Sequence, residues 1–198
     1  MTPDLLAVFD FIKFAAQLRA VTRANNATPD RKESVAEHSW HLALTAWVLH
    51  DTLQQEFGVP IAQDRIIKMC LMHDLVEIVV GDASVFSPTL RDAAASQEEA
   101  AAQEIFAKLP PALGEEMLGL WHEFEAAETL EGKIARAIDR INPALMRLLT
   151  EQGWADANAD AAWLDRIQLP RHEFSTTMLE LYQSIRAEAI EKGLLPTV

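Results

Sequence analysis

His73 and Asp74 offer an imidazole and a carboxylate from adjacent positions of one helix-forming segment. Successive helical residues differ by about 100° in direction, so both side chains can reach a common point. Glu77 follows four after His73 and three after Asp74, on the same face at helical spacing. The rest of that segment is apolar, with Ile66, Ile67, Met69, Cys70, Leu71, Leu75 and Val80. An imidazole and two carboxylates buried there without partners would be strongly unfavourable. The cluster therefore calls for a metal, another cation or water, unless it is the water-facing edge of an amphipathic helix. Imidazole with carboxylate suits a first-row divalent ion better than a structural zinc, which prefers thiolates.

Two further places carry the same chemistry. His38 and His41 stand three apart just after Ser34-Val-Ala-Glu37, with Trp40, Leu44 and Trp47 reading as packing residues. His38 is either a ligand or the solvated end of a capped helix. Asp139 lies in Lys133-Ile-Ala-Arg-Ala-Ile-Asp-Arg-Ile-Asn-Pro-Ala-Leu145, a helix too apolar to hold an aspartate without a reason. That reason is either an ion pair with Arg136 or Arg140, or metal ligation.

The elements that must position these residues read almost entirely with helical period. Only seven glycines occur, and no tract alternates apolar and polar residues as a half-buried strand would. Leu5, Val8, Phe9, Ile12, Ala15 and Ala16 stripe a helix over about 4–18. Arg23 to Lys32 is a loop by composition. Ser34 opens a capping box with Glu37, and the helix that follows ends at Gly58-Val-Pro60. Asp64 caps the next helix, which runs through His73 to Gly81. Helices follow over about 88–108, 112–125 and 130–149, the last kinked or divided by Pro143. Residues 153–170 are irregular or short-helical, and 171–192 close the chain as a helix. The expectation is a single all-α domain of about six or seven helices.

The chain has 198 residues, 17 Lys+Arg against 30 Asp+Glu, and a formal net charge of -13, which repels nucleic-acid polymers and anionic membranes. A small anionic substrate remains compatible if a cation sits locally in its pocket. Cys70 is the one cysteine and has no internal disulfide partner. With no leader-like N-terminus, that predicts a reducing cytoplasm. Ser39–His50 is too short for a bilayer and is interrupted by His41, Thr45 and His50. Cys70 reads as packing, His122 and His172 as interior or cap residues, and Trp121, Trp154 and Trp163 as core or subunit contacts.

Taken in order, Arg31-Lys-Glu-Ser-Val-Ala-Glu-His-Ser-Trp-His41, His73-Asp-Leu-Val-Glu77 with Gly81-Asp82, and the stretch 133–145 resemble the H…HD…D pattern of HD-domain phosphohydrolases. The resemblance is closest to the 5'-deoxynucleotidase branch and covers about residues 10–150, with 151–198 as a C-terminal helical extension. It implies an HD-domain helical bundle with His38, His73, Asp74 and Asp139 around one divalent ion, be it manganese, cobalt, magnesium, iron or zinc. It implies metal-assisted hydrolysis of a phosphate monoester, a (deoxy)nucleoside 5'-monophosphate above all. Glu77 then helps proton transfer to the leaving sugar oxygen, and Asp82 orients water or substrate, unless it is only a helix-end turn residue. Arg23 meets the phosphate with its guanidinium fork, with Arg19 as its rival. Only His122 lies between the HD pair and Asp139, against a second metal, and no Gly-Tyr-Pro signature points to cyclic dinucleotides. Relatives often place an aromatic residue just after the phosphate-binding arginine, where this chain has Ala24-Asn25-Asn26. That departure bears on recognition of the base or sugar more than on hydrolysis. A homodimer is a further expectation of the resemblance. The alternatives are the same site acting on another phosphate ester or a nucleotide pyrophosphate, and a non-catalytic metal-stabilised nucleotide-binding protein.

Overall fold

The computed structural model describes residues 1–81, 88–154 and 160–197, and these form a mostly helical assembly. Helix α1 (Pro3–Ala15) continues into a 3₁₀ turn at Ala16–Ala20, and a hairpin of β1 (Thr22–Thr28) and β2 (Arg31–Ser34) follows. Then come α2 (Val35–Phe57), α3 (Gln63–Met72), a 3₁₀ turn at His73–Val76 and the single turn α4 (Glu77–Val80). The chain finishes with α5 (Pro88–Phe106), α6 (Pro111–Ala126), α7 (Leu130–Thr150), α8 (Ala161–His172) and α9 (Thr176–Glu191).

The hairpin corrects the loop expected over 23–32. Its strands pair antiparallel, Thr22 with Ser34 and Thr28 with Arg31, with irregular register between. Thr-Arg-Ala-Asn-Asn-Ala-Thr lacks the alternation that marks a strand, because the ribbon covers α7 rather than joining an apolar sheet.

Helix α2 begins where the capping box placed it. Glu37 N donates to Ser34 Oγ at 3.2 Å, and Ser34 N donates to Glu37 Oε2 at 2.9 Å. Arg31 grips Glu37 through both terminal guanidinium nitrogens, and together with the Ser34 donors holds its carboxyl down at about 2. Gly58, at φ 65°, ends the helix in the left-handed conformation. Val35, His38, Leu42, Ala46 and Leu53 lie on the buried face, so His38 is carried into the core by the same periodicity as its leucine neighbours. Trp40, Leu44 and Trp47 do not pack as expected: they are 61%, 41% and 64% exposed. They lie on a different arc of the helix, which they share with Val48. The stripe assigned to α1 is split: Leu5, Phe9 and Ile12 are exposed, while Val8 and Ala15 pack against the core together with Phe11 and Phe14.

Asp64 sits within the first turn of α3 rather than at its cap, which is Ala62. Pro143 does not divide α7, which runs on to Thr150. The C-terminal region is two helices: α8 is the short-helical alternative for 153–170, and α9 starts at Thr176 rather than Arg171. Asp160 caps α8 by accepting from Trp163 N at 2.6 Å, and Ser175 caps α9 by accepting from Met178 N at 3.2 Å. Helix α9 packs on α7 and α2, burying Met178, Tyr182, Ile185 and Ala189. Glu56, near the end of α2, accepts from Thr176 N, Thr177 N and Ser175 Oγ, so α2 is tied to the start of α9 across 120 residues.

His172 gives this region a pH dependence. Its ring is fully buried and stacked on Tyr182 at 5.8 Å, with Nε2 3.0 Å from Gln168 Oε1. Burial, with Arg171 beside it, holds its pKa down at about 4, below the ordinary 6.5. The unfolded chain therefore takes up a proton that the folded chain refuses. This contribution to stability is complete above pH 6.5 and is lost toward pH 4, by roughly 3 kcal/mol. Urea midpoints compared at pH 7.5 and 4.5 should show a smaller acid loss in His172→Gln than in the parent. An equal loss in both would refute the assignment.

Candidate metal centre

Three elements converge on one point: α2 brings His38, the 3₁₀ turn brings His73 and Asp74, and α7 brings Asp139. The turn matters because the helix tightens there, leaving α3 at His73. In 3₁₀ geometry residues three apart eclipse, which stacks Glu77 over Asp74 rather than over His73. His38 and His73 are 0% and 3% exposed, and Asp139 is 9% exposed.

One ligand atom each from His38, His73 and Asp74 lies within 4.8 Å of the others. Asp139 joins through Oδ1, 3.2 Å from His38 Nε2 and 3.9 Å from His73 Nε2. His73 Nε2 is 3.0 Å from Asp74 Oδ1, and His38 Nε2 is 3.8 Å from Asp74 Oδ2. The remaining ring nitrogens are already engaged. His73 Nδ1 lies 3.1 Å from the Cys70 carbonyl, which accepts from it, so its Nε2 is the nitrogen turned to the carboxylates. His38 Nδ1 is 3.0 Å from Asn142 Oδ1. Trp121 Nε1 donates to the His73 carbonyl at 3.1 Å, and the Phe124 ring packs on the His73 imidazole at 4.4 Å, which fix that ring's place.

These donors fit a divalent cation. Two imidazole nitrogens with their opposite edges satisfied and two carboxylates point inward, and buried His73 Nε2 makes no hydrogen bond there. Burial opposes ionisation of Asp139, but His38 at 3.2 Å and the fields of His73 and Arg140 hold its carboxyl well below the usual range. Asp74 behaves alike, held at about 2 against burial by His73, Arg23 and His38. Burial works against a charged His73, yet Asp74 and Asp139 raise its pKa. That is the response of carboxylates concentrated around a site suited to positive charge.

Arg23, on β1, reaches this cluster: its Nη1 lies 2.9 Å from Asp74 Oδ2, and its Nε 3.7 Å from Glu33 Oε2. Arg19 does not join it. It is exposed on the 3₁₀ turn before the hairpin, and its Nε donates to Ala16 O within that turn. Glu77 is half-buried at the start of α4, with Oε2 shielded from solvent. Asp82 lies outside the described residues. His122 pairs with Glu99, and His50 with Asp51 and the Ile61 carbonyl. Cys70 is buried, and burial with Asp139 nearby pushes its thiol pKa up, so it packs rather than attacks.

Sequence reasoning did not assign roles to Glu33, Asn142 or His41. Glu33 is 2% exposed, and burial raises its carboxyl pKa despite His38 and Arg23. Nothing in a loop reading marks it as interior. Asn142 follows Asp139 by three, one face of one helix, which was the available signal.

A family model described as HD domain matches residues 15–176, and the chain belongs to the HD-domain family. Among solved structures it is similar to a predicted metal-dependent phosphohydrolase from Magnetospirillum magnetotacticum MS-1. The TM-score is 0.83 and the identity 33%, over 98% of this chain and 100% of that one. The 5'-deoxynucleotidase HDDC2 of Homo sapiens is 28% identical over 136 residues, 68% of this chain and 63% of its own length. The 5'-deoxynucleotidase HDDC2 of Dictyostelium discoideum is 30% identical over 139 residues, 69% of this chain and 73% of its own. The match thus spans less than two thirds of the human relative.

Proposed function

We propose that the chain is a divalent-metal-dependent phosphohydrolase that releases phosphate from nucleoside 5'-monophosphates, deoxynucleotides foremost. The observation that carries this reading is the convergence of His38, His73, Asp74 and Asp139 with Arg23 at their edge. The similarity to proteins named 5'-deoxynucleotidase supports the substrate class. A bound divalent ion supplies a Lewis acid for the phosphoryl group and makes water acidic enough to ionise near neutral pH. His38, His73, Asp74 and Asp139 would hold that ion.

The protein's own groups do the rest. Hydrolysis breaks the bond between phosphorus and the sugar oxygen, and that oxygen leaves well only if it gains a proton. Glu77 is the donor in this reading, with Asp82 orienting water or substrate. Arg23 turns part of its guanidinium from Asp74 to the phosphate, a planar match for two oxygens, while Glu33 holds its inner edge. Two functions follow for one arginine: it neutralises Asp74 before substrate arrives and binds phosphate afterwards.

The test is phosphate release from a panel of nucleoside and deoxynucleoside monophosphates, with and without manganese, cobalt or magnesium. Metal-dependent release from deoxynucleotides is expected. No release from any member in a protein that retains its metal would overturn the nucleotidase reading.

The chain works as a homodimer in this reading, in a reducing cytoplasm in keeping with one buried thiol. Among the described residues no helix is long and apolar enough to cross a membrane. The exposed strip of Trp40, Leu44, Trp47 and Val48 on α2 supports self-association, because tryptophans at such exposure are typical of covered interface anchors. Sedimentation should show twice the 22.1 kDa chain mass, and Trp47→Glu should return it to the monomer. A parent that sediments as a monomer at micromolar concentration excludes the dimer.

A further inference from the structure

We infer that Asn142, seated on His41, is the positioning residue that decides which nitrogen of His38 faces the metal site; this rests on the metal-centre reading above. Asn142 is 2% exposed and sits between two imidazoles from α2. Its Oδ1 is 3.0 Å from His38 Nδ1, and its Nδ2 is 2.9 Å from His41 Nδ1. An amide has one accepting and one donating end, so the two rings cannot choose their tautomers independently.

With neutral rings, two arrangements satisfy both ends of the amide. In the first, His38 Nδ1–H donates to Asn142 Oδ1, and Asn142 Nδ2–H donates to the lone pair of His41 Nδ1. His38 Nε2 is then a bare lone pair 3.2 Å from Asp139 Oδ1, two acceptors that a cation between them would satisfy. In the second the amide is turned over: Nδ2 donates to His38 Nδ1, and the proton of His38 moves to Nε2. It would then point at Asp139, and His38 would be a donor to the carboxylate rather than a ligand.

His41 selects between them. Its ring is half-buried and stacked on Trp40 at 6.1 Å, and its Nδ1 lies 2.9 Å from Asn142 Nδ2, placed to accept from the amide. Its Nε2–H form holds the amide nitrogen toward itself and so turns Oδ1 to His38. The arrangement runs from α2 to α7 and back, and Asn142 shares α7 with Asp139. One helix thereby supplies a ligand and, one turn later, the group that prepares another ligand.

The experiment has two independent readouts on the full chain. Nitrogen-15 NMR of the imidazoles without added metal reports the His38 tautomer. The parent should show Nδ1–H, and Asn142→Leu should lose that fixed form. Calorimetric titration with manganese reports affinity: Asn142→Leu should weaken it 10- to 100-fold, the usual cost of an outer partner of a ligating histidine. Asn142→Asp, which keeps the oxygen facing His38, should stay within about tenfold of the parent. His41→Ala combined with Asn142→Leu should be no weaker than Asn142→Leu alone, because His41 acts through the amide. If Asn142→Leu does not fold, His41→Ala alone carries the test and should weaken affinity and broaden the His38 tautomer signal. An Nε2–H tautomer in the parent overturns the inference whether or not metal binds. So does an Asn142→Leu protein that folds and binds manganese as tightly as the parent. A parent with the Nδ1–H tautomer that binds no manganese instead overturns the metal reading and leaves the amide's role in setting the tautomer standing.

Discussion

Asp139→Ala is expected to leave a folded protein that no longer retains a divalent ion and releases no phosphate. Asp139 meets both imidazoles through a single oxygen, Oδ1, whereas Asp74 turns a different oxygen to each. Its other oxygen lies 3.7 Å from Arg140 Nε, which holds the carboxylate from outside. Removing it leaves two neutral donors and Asp74, and Arg23 already draws on Asp74. Loss of an outer partner to a metal ligand costs 10- to 100-fold in affinity, and loss of a direct ligand should exceed that. Metal content by elemental analysis, from one ion per chain to none, is the measurement. Unchanged stoichiometry in a folded Asp139→Ala protein would sink the ligand assignment, and Asp139→Asn tests charge against shape.

Glu77→Gln should separate chemistry from binding. Glutamine keeps the volume and the shielded position of the side chain but cannot carry the exchanged proton. General acid catalysis contributes about 10²- to 10⁴-fold, so kcat should fall by that range while metal content stays at the parent's level. The alkaline limb of the pH–rate profile, where the donor has lost its proton, should vanish with it. A kcat within threefold of the parent would remove Glu77 from the mechanism.

Much of the site could be read in the residues because metal chemistry is conspicuous on apolar helices. His73 and Asp74 stand out against Ile66, Met69 and Leu75, and Asp139 against Ile138 and Ile141, since burial makes an unexplained polar group costly. His38 was not legible from its spacing: the cap at Ser34 and Glu37 fits a solvated helix end as well as a ligand, the resemblance alone implies the ligand, and the fold carries His38 inward with Leu42. What failed to show has physical reasons too. Arg23 was assigned to a loop because the hairpin that presents it is held by backbone pairing and by α7, neither of which leaves an apolar pattern in Thr-Arg-Ala-Asn-Asn-Ala-Thr. The helical spacing of Glu77 on His73 assumed uniform pitch, and the 3₁₀ turn at 73–76 replaces it. Trp40 and Trp47 looked like core residues because size and apolarity signal burial without saying what does the burying. Arg19 and Arg23 differ by four positions, and only the turn between them decides which one reaches Asp74.

The tie between Glu56 and the first residues of α9 bears on how this lineage can lose or gain sequence. The family match ends at residue 176, the point where that carboxylate takes its three donors. A chain shortened there would leave Glu56 facing water and strip the cover from the flank of α7 that Met178, Tyr182 and Ile185 now occupy. The last helix thus lies largely beyond the matched family segment yet is tied to both ligand-bearing helices. Loss of α9 would lay bare apolar surface on α7 and α2, the two helices that carry Asp139 and His38.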